Sequence, residues 1–258
     1  MTLTDASVLI TGASSGLGAE FATEFARRGQ DLVLVARRAE RLQELCDHLG
    51  REHGVRADPI VADLAAEGAA HALRRQVRER DVRIGGLVNN AGFGMKGALA
   101  EADPARLDEM VRLNVGAVVA MTREFLPDIL AADGLLVNVA STAAFQPCPT
   151  MAVYGASKSF VLNFTEAVAH EVRGAGARVL AINPGATRTE FFDVVGDASA
   201  AVGRFQTPAQ VVARTFRALD AGSRPPSVVS GWSNAATAAL TRLLPRRALL
   251  AISGRVLT

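Results

Sequence analysis

The stretch Ser7-Val8-Leu9-Ile10-Thr11-Gly12-Ala13-Ser14-Ser15-Gly16-Leu17-Gly18 decides the fold that we predict for this chain. It runs from a short apolar segment, typical of a buried strand, into a turn with the spacing Gly-x-x-x-Gly-x-Gly. Leu17, Phe21 and Phe25 then recur at helical spacing, and the apolar run from Asp31 to Ala36 predicts a second buried strand. The resulting order is strand, glycine-rich turn, helix, strand.

This order favours dinucleotide binding. Glycines in such a turn let the backbone approach a pyrophosphate at the N-terminus of the following helix. A glycine-rich turn alone is weak evidence, since many turns contain glycine to reach positive φ angles. Its position between a strand and a helix is the context that the motif requires. We expect the cofactor to contact Gly12, Ser14, Ser15, Gly16, Leu17 and Gly18.

The end of the second strand indicates which dinucleotide is bound. An acidic residue there would accept hydrogen bonds from the ribose of NAD, whereas an arginine accommodates the additional phosphate of NADP. The strand ends in Arg37 and Arg38 without a carboxylate, which favours NADP(H). We expect Arg37 to pair with the additional phosphate, with Arg38 as a second cation. Ser14 or Ser15 would add a hydroxyl. Alternatively, the two arginines belong to a solvated helix start together with Arg41, although positive charge is unfavourable at that helix end.

Strands and helices continue to alternate along the chain. Further strands are predicted at residues 57–64, 86–92, 135–141 and 178–185, and helices at 38–53, 65–80 and 103–126. This alternation predicts the α/β class with a doubly wound parallel sheet, the Rossmann fold. Ligands of such sheets bind at the carboxyl ends of the strands. We expect one main domain of residues 1–230 and a helical C-terminal extension of residues 231–258.

Tyr154 and Lys158 form a pair suited to acid–base chemistry. Tyr154 is the sole tyrosine of the chain, and Lys158 is one of two lysines. They lie four residues apart in a segment with helical spacing, so their side chains would share one helix face. A neighbouring ammonium favours the ionised form of a phenol, and a phenol shifted towards neutral pH can act as a general acid or base. Alternatively, both are exposed residues of an ordinary amphipathic helix.

Six motifs in this order resemble the short-chain dehydrogenase/reductase family, over about residues 6–230. The family's Thr-Gly-x-x-x-Gly-x-Gly turn lies at residues 11–18, and its Asn-Asn-Ala-Gly motif at residues 89–92. Its catalytic serine corresponds to Ser141, thirteen residues before Tyr154. The other matching positions are the adenine-side Asp63, the helix residue Asn114, Lys158 of the Tyr-x-x-x-Lys motif, and Pro184, Gly185 and Thr189 of the Pro-Gly loop.

The resemblance implies an oxidoreductase that transfers hydride between a nicotinamide and a carbonyl or alcohol. Tyr154 would be the general acid in reduction, and Ser141 would hydrogen-bond the same substrate oxygen. Lys158 would lower the pKa of Tyr154 and hold the nicotinamide ribose, and Asn114 would anchor a water linking Lys158 to solvent. The further cofactor contacts that it implies are Asp63, Leu64, Asn90, Ala91, Gly92, Pro184, Gly185, Thr187 and Thr189.

Three alternatives remain open at this point. Asn114 could be a helix-interior amide bonded to the backbone, and Ser141 could be a strand-end cap. The chain could also be a cofactor-binding regulatory protein without turnover, because the same fold supports many functions. The set of Asn114, Ser141, Tyr154 and Lys158 argues against that reading, since binding alone needs no proton-transfer residues.

Residues 188–206 resemble the substrate lid of the family. Apolar side chains in this segment, together with Phe93, Phe145 and Met151 near other strand ends, indicate a small apolar carbonyl or alcohol as substrate. Some of them could instead be core residues of a short helix. Lids are variable loops on a rigid scaffold, so the sequence does not name the substrate.

Composition limits the other partners. The net charge is only +2, so no nucleic acid is expected, and Cys46 and Cys148 have no metal or redox spacing. No metal site is predicted. The polar first residues carry no signal peptide, which together with the cysteines favours a cytoplasmic protein.

The last 38 residues differ from the rest in charge. They carry five arginines and no acidic residue, a net charge of +5, whereas residues 1–220 carry −3. Leucines recur at helical spacing on both sides of Pro245, which should interrupt the helix. Such a segment packs on its own domain or on a second copy in a homo-oligomer, or it lies on a membrane surface as a peripheral contact.

Overall fold

A computed structural model describes residues 5–196 and 205–257 and contains seven strands in these residues. They are β1 (Ser7–Thr11), β2 (Leu32–Ala36), β3 (Ala57–Val61), β4 (Ile84–Asn89), β5 (Leu135–Val139), β6 (Arg178–Asn183) and β7 (Ser227–Val229). All neighbours pair in parallel, in the order β3-β2-β1-β4-β5-β6-β7. The predicted doubly wound α/β fold is confirmed.

Helices cover both faces of the sheet. They are α1 (Gly16–Arg27), α2 (Ala39–His53), α3 (Ala69–Glu79), α4 (Pro104–Val111), α5 (Val118–Ala131), α6 (Ala152–Glu171), α7 (Phe191–Val195), α8 (Pro208–Asp220), α9 (Trp232–Thr241) and α10 (Arg246–Leu257). Successive residues of a strand point to opposite faces. Accordingly, Val8 and Ile10 pack with Phe21 of α1, whereas Leu9 packs with Phe125 of α5. Both apolar layers are fully buried, as expected for a parallel sheet.

Some predicted boundaries were wrong. The predicted helix at 103–126 is α4 and α5 joined by a π-helical segment, Arg112–Ala117. The third strand ends at Val61, and α3 begins only at Ala69, because the Asp63 carboxylate accepts a hydrogen bond from the N–H of Ala65 (3.0 Å) and holds a turn. β7 was not predicted, since its three residues are too short to show a pattern.

The strand order reverses at β1. The chain adds β2 and then β3 on one side of β1, and it crosses to the other side to add β4. The loops that follow β1 and β4 therefore diverge and open a crevice at the carboxyl edge of the sheet, where doubly wound folds bind ligands.

Buried amides tie the central strands to the helices behind them. The Nδ2 atom of Asn89 donates to Asn138 Oδ1 (2.9 Å) and Thr122 Oγ1 (3.2 Å). Asn138 Nδ2 donates in turn to Thr165 Oγ1 on α6 (2.8 Å). This network connects β4, β5, α5 and α6 directly beneath the crevice. Because its members are satisfied, it fixes the mutual position of these elements without an unpaired polar group.

The extension consists of two helices on either side of Pro245, as predicted. One face is buried through Ala238, Thr241, Leu249 and Ser253, so the helices pack on their own domain. The other face exposes large apolar side chains, namely Trp232, Leu240, Leu243, Leu250 and Ile252. Among the helices that the structure describes, none has the length and apolar character needed to cross a bilayer.

Candidate functional site

A cleft of about 440 Å³ follows the carboxyl ends of the strands and has the size typical of small-molecule sites. Of the predicted site residues, all but Gly18 and Asn114 line this cleft. Those that it brings together are Gly12, Ser14, Ser15, Gly16, Leu17, Arg37, Arg38, Asp63, Leu64, Asn90, Ala91, Gly92, Ser141, Tyr154, Lys158, Pro184, Gly185, Thr187 and Thr189.

The glycine-rich turn is closely packed. Gly12 has a φ of +64° in the left-handed region, and a Cβ at Gly18 would collide with the carbonyl oxygen of Gly12. Asn90 Nδ2 donates to the carbonyls of Thr11 (2.9 Å) and Gly12 (3.2 Å) and anchors the turn to β4. Ser15, at the N-cap of α1, makes no side-chain cap. The first N–H groups of α1 thus face the cleft in the arrangement that suits a pyrophosphate.

The two arginines after β2 differ in their surroundings. Arg38 donates to Ser14 Oγ (3.1 Å) and Ser15 Oγ (2.7 Å), so its guanidinium lies against the glycine-rich turn. Arg37 also lines the cleft, but its guanidinium pairs with Glu109 on α4 (3.1 Å). The Arg38 guanidinium is therefore the one in contact with the glycine-rich turn, and which arginine receives the additional phosphate stays a prediction.

The Tyr154 phenol is buried beside Ser141. The two side chains are hydrogen-bonded, and the Ser141 hydroxyl also accepts from the N–H of Ala143 (3.1 Å). Ser141 therefore caps the short helical turn that follows it, which is the alternative that the sequence left open. It is also a hydrogen-bond partner of the phenol. Burial raises the pKa of Tyr154 to about 12, and the bond from Ser141 opposes this only in part.

Lys158 reaches the same place from the next turn of α6. Its Nζ donates to the carbonyl oxygen of Val139 (2.8 Å) and lies 5.9 Å from the ring centre of Tyr154. Burial lowers the pKa of Lys158 to about 8. The expected lowering of the Tyr154 pKa is not seen as a net effect in this structure, because burial of the phenol raises that pKa. The contribution of Lys158 itself stays a prediction.

Asn114 is buried one layer behind the cleft, in the π-helical segment. Its Nδ2 donates to the carbonyl of Phe93 (2.9 Å) and to Ser157 Oγ (3.1 Å), and its Oδ1 accepts from the N–H of Phe93 (3.1 Å). A Cβ at Gly92 would lie 2.9 Å from that oxygen. The amide is thus hydrogen-bonded to protein groups, as the backbone-bonded alternative describes, and the water that Asn114 is expected to anchor stays a prediction.

The Pro-Gly loop is held by residues that the sequence did not indicate. Gln206 pairs with the loop backbone, accepting from Arg188 N–H (2.9 Å) and donating to the Ala186 carbonyl (2.8 Å). Asn234 of α9 packs so closely on Gly185 that a Cβ there would collide with its amide nitrogen. These contacts join segments far apart in the chain, so no local pattern could have revealed them.

Apolar side chains surround the phenol. The Phe191 ring centre lies 5.3 Å from that of Tyr154, and Phe93, Met151 and Phe192 also line the cleft. Phe145, predicted to join them, does not line it and instead packs beside α6, because the turn after Ser141 directs it away. Of the predicted lid at 188–206, residues 197–204 lie outside the described residues.

Comparisons with known proteins agree with this geometry. Residues 6–199 match the family described as short chain dehydrogenase. Sulfoacetaldehyde reductase 2 of Chromohalobacter salexigens is 39% identical over 79% of this chain and 82% of its own length. Serine 3-dehydrogenase of Agrobacterium fabrum is 36% identical over 72% of this chain and 73% of its own length.

Solved structures show the same likeness. A short-chain dehydrogenase from Sphingobium yanoikuyae in complex with NADPH superimposes with a TM-score of 0.82 at 34% identity, covering 95% of both chains. The likeness therefore extends through the whole α/β unit and beyond the residues that the family match covers.

Proposed function

The chain belongs to the short-chain dehydrogenase family, and from this premise we propose that it is an NADP(H)-dependent oxidoreductase acting on a carbonyl or alcohol. The observation that carries the proposal is the hydrogen-bonded pair of Tyr154 and Ser141 in the cleft, with Lys158 one turn further along α6. A regulatory protein without turnover is not favoured, because the relatives named above are a reductase and a dehydrogenase.

In the proposed mechanism, a bound nicotinamide supplies the hydride, and the chain's own residues handle the proton. Tyr154 gives its phenolic proton to the carbonyl oxygen, and Ser141 donates a hydrogen bond to the same oxygen. Because burial keeps the phenol protonated at neutral pH, the proton donor that reduction needs is present. Val139 takes one of the three Lys158 N–H donors, and the others serve the cofactor ribose.

Asn114 acts in this proposal as a positioning residue. Its amide links the backbone after Gly92 to Ser157, whose hydroxyl donates to the Tyr154 carbonyl (2.7 Å). The wall that includes Ala91 and Gly92 is thereby tied to the start of α6. Thr187 and Thr189 complete the opposite wall as proposed ligands of the nicotinamide amide.

The choice of NADP(H) rests on Arg38. Its guanidinium already faces the two serines of the glycine-rich turn, and no carboxylate follows β2 that could select the ribose hydroxyls of NAD. Asp63 and Leu64 line the adenine side of the same cleft. The Sphingobium yanoikuyae structure, which contains NADPH, supports this assignment.

We expect Arg38→Ala to lower the preference for NADP(H) over NAD(H) by about tenfold to a hundredfold, the range for losing a hydrogen bond to a charged group. Arg37→Ala is the matched control and should change this ratio much less, since Arg37 pairs with Glu109. The ratio is measured from the dissociation constants of both cofactors. A wild-type protein that binds NAD(H) as tightly as NADP(H) would contradict the assignment.

The substrate that we propose is a small apolar ketone or secondary alcohol. Phe93, Met151, Phe191 and Phe192 supply the surface near the phenol. A charged aldehyde such as that named for the Chromohalobacter salexigens relative is less favoured as substrate, because its anionic group would need a cation in the cleft. Arg106 lines the cleft, but it is already paired with Glu109 and lies over the Phe93 ring (4.5 Å).

The experiment that tests the function is a panel of ketones, aldehydes and secondary alcohols with both cofactors, followed by nicotinamide absorbance. Apolar ketones should be reduced with NADPH at higher kcat/KM than sulfonated or carboxylated aldehydes. Absence of turnover throughout the panel, with NADPH bound, would favour the regulatory alternative.

We also propose that residues 1–230 act as the catalytic domain and that the 231–258 extension contacts a second copy of the chain in a homo-oligomer. Its exposed apolar face carries Trp232 (86% exposed) and Leu243 (81% exposed). The last 38 residues, which include this extension, carry a net charge of +5 that complements the −3 of residues 1–220, which favours a second copy over a membrane surface.

Leu243→Glu is expected to dissociate this oligomer, because it places a carboxylate in the apolar contact. Leu99→Glu, at a leucine that is 60% exposed elsewhere on the chain, is the matched control. Light scattering gives the mass of each variant. A monomeric wild-type protein that sediments with anionic vesicles would overturn the oligomer in favour of membrane contact.

A further inference from the structure

The corner of the cleft formed by Ser14, Ser15 and Arg38 also contains a carboxylate of the protein, that of Glu190. Glu190 Oε2 accepts from Arg38 (2.8 Å), and Glu190 Oε1 accepts from Arg41 (2.6 Å). Hydrogen bonds from Arg38 and then Arg41 lower the pKa of Glu190 to about 2, so the group is an anion at any working pH. Glu190 follows the Pro-Gly loop after β6, about 150 positions from its partners, and only the fold brings it there.

Arg38 is the residue that the proposed function assigns to the 2′-phosphate of NADP(H). Its Nε and one terminal nitrogen contact Ser14 and Ser15, while the other terminal nitrogen is occupied by Glu190. Arg41, the second cation of this corner, is paired with the same carboxylate. A phosphate that bridges the two guanidinium groups through the same terminal nitrogens would take the positions that Glu190 now fills.

We propose that Glu190 is a specificity-determining residue that competes with the 2′-phosphate for Arg38 and Arg41. This inference rests on the proposed use of NADP(H). Both anions prefer the same planar donors, and their like charges repel at such short range, so they exclude each other. A phosphate carries more charge and one more acceptor oxygen than a carboxylate, so it displaces Glu190, but with reduced affinity.

Competition acts only on ligands that carry the 2′-phosphate. Adenosine 2′,5′-bisphosphate has this group, whereas adenosine 5′-monophosphate lacks it and is otherwise the same ligand. Loss of the Glu190 charge should therefore tighten binding of the first ligand and leave the second unchanged. Because the carboxylate is nearly half exposed, the expected gain is moderate, about threefold to thirtyfold for two exposed ion pairs.

The test uses the full-length protein and titration calorimetry with both nucleotides. Glu190→Gln keeps the shape of the side chain and removes its charge. The matched control is Glu24→Gln on α1, because Glu24 also pairs with two arginines, Arg27 and Arg28, but does not line the cleft. We expect a lower dissociation constant for the bisphosphate only in Glu190→Gln.

Three results would overturn the proposal, and each has a different meaning. If wild-type protein prefers the bisphosphate but Glu190→Gln binds it no more tightly, Glu190 is not a competitor and the use of NADP(H) stands. If wild-type protein and Glu190→Gln both bind the two nucleotides equally, Arg38 and Arg41 do not receive a phosphate, and the cofactor assignment fails with the inference. Equal tightening in Glu24→Gln would also overturn it, since the effect would then reflect net charge alone.

Discussion

Tyr154→Phe is expected to reduce turnover by a factor on the order of 10² to 10⁴, the range for losing a general acid. The variant keeps the aromatic ring that packs against Phe191 and removes only the hydroxyl that bonds to Ser141. Ser141→Ala should reduce turnover too, because the same substrate oxygen loses a donor.

The control for Tyr154→Phe is cofactor binding. The glycine-rich turn and Arg38 lie at the other end of the cleft, so the dissociation constant of NADPH should stay close to that of the wild-type protein. The free energy of unfolding should change by no more than about 1.5 kcal/mol, the contribution of one hydrogen bond. A variant that folds, binds NADPH and retains most of its turnover would show that another group supplies the proton.

Alcohol oxidation should depend strongly on pH, whereas ketone reduction should not. The pKa of Tyr154 is raised to about 12, so the phenol stays protonated near neutrality and the acid needed for reduction is always present. Oxidation needs the phenolate, whose fraction rises tenfold with each pH unit below the pKa. Between about pH 6 and about pH 8, kcat/KM for oxidation should thus rise on the order of 10²-fold, while kcat/KM for reduction stays nearly constant.

Above about pH 8 the profile should change, because Lys158 then loses its charge. The ionisation of the phenol can be followed directly, since Tyr154 is the only tyrosine and its ultraviolet absorbance reports this residue alone. An oxidation rate that is flat over the same range, or a phenol that ionises near neutral pH, would contradict the raised pKa.

The sequence by itself determined the fold class and the family. Two local patterns were enough for this: the strand, glycine-rich turn and helix at residues 7–27, and the spacing of Tyr154 and Lys158. In each of them the geometry of the backbone determines which side chains are neighbours. A helix places residues four apart on one face wherever it packs, and a parallel sheet gathers the carboxyl ends of its strands. These rules were sufficient to predict a cleft containing Ser141, Tyr154 and Lys158.

Only the tertiary structure decided which partners the side chains of that cleft contact. Arg37 and Arg38 are neighbours of the same type, yet one pairs with α4 and the other faces the glycine-rich turn. The contacts of Glu190 with Arg38 and of Asn234 with Gly185 join distant parts of the chain. Burial raises the pKa of Tyr154, and the sequence could not show this, because desolvation depends on all the atoms packed around a group and no spacing in a sequence records it.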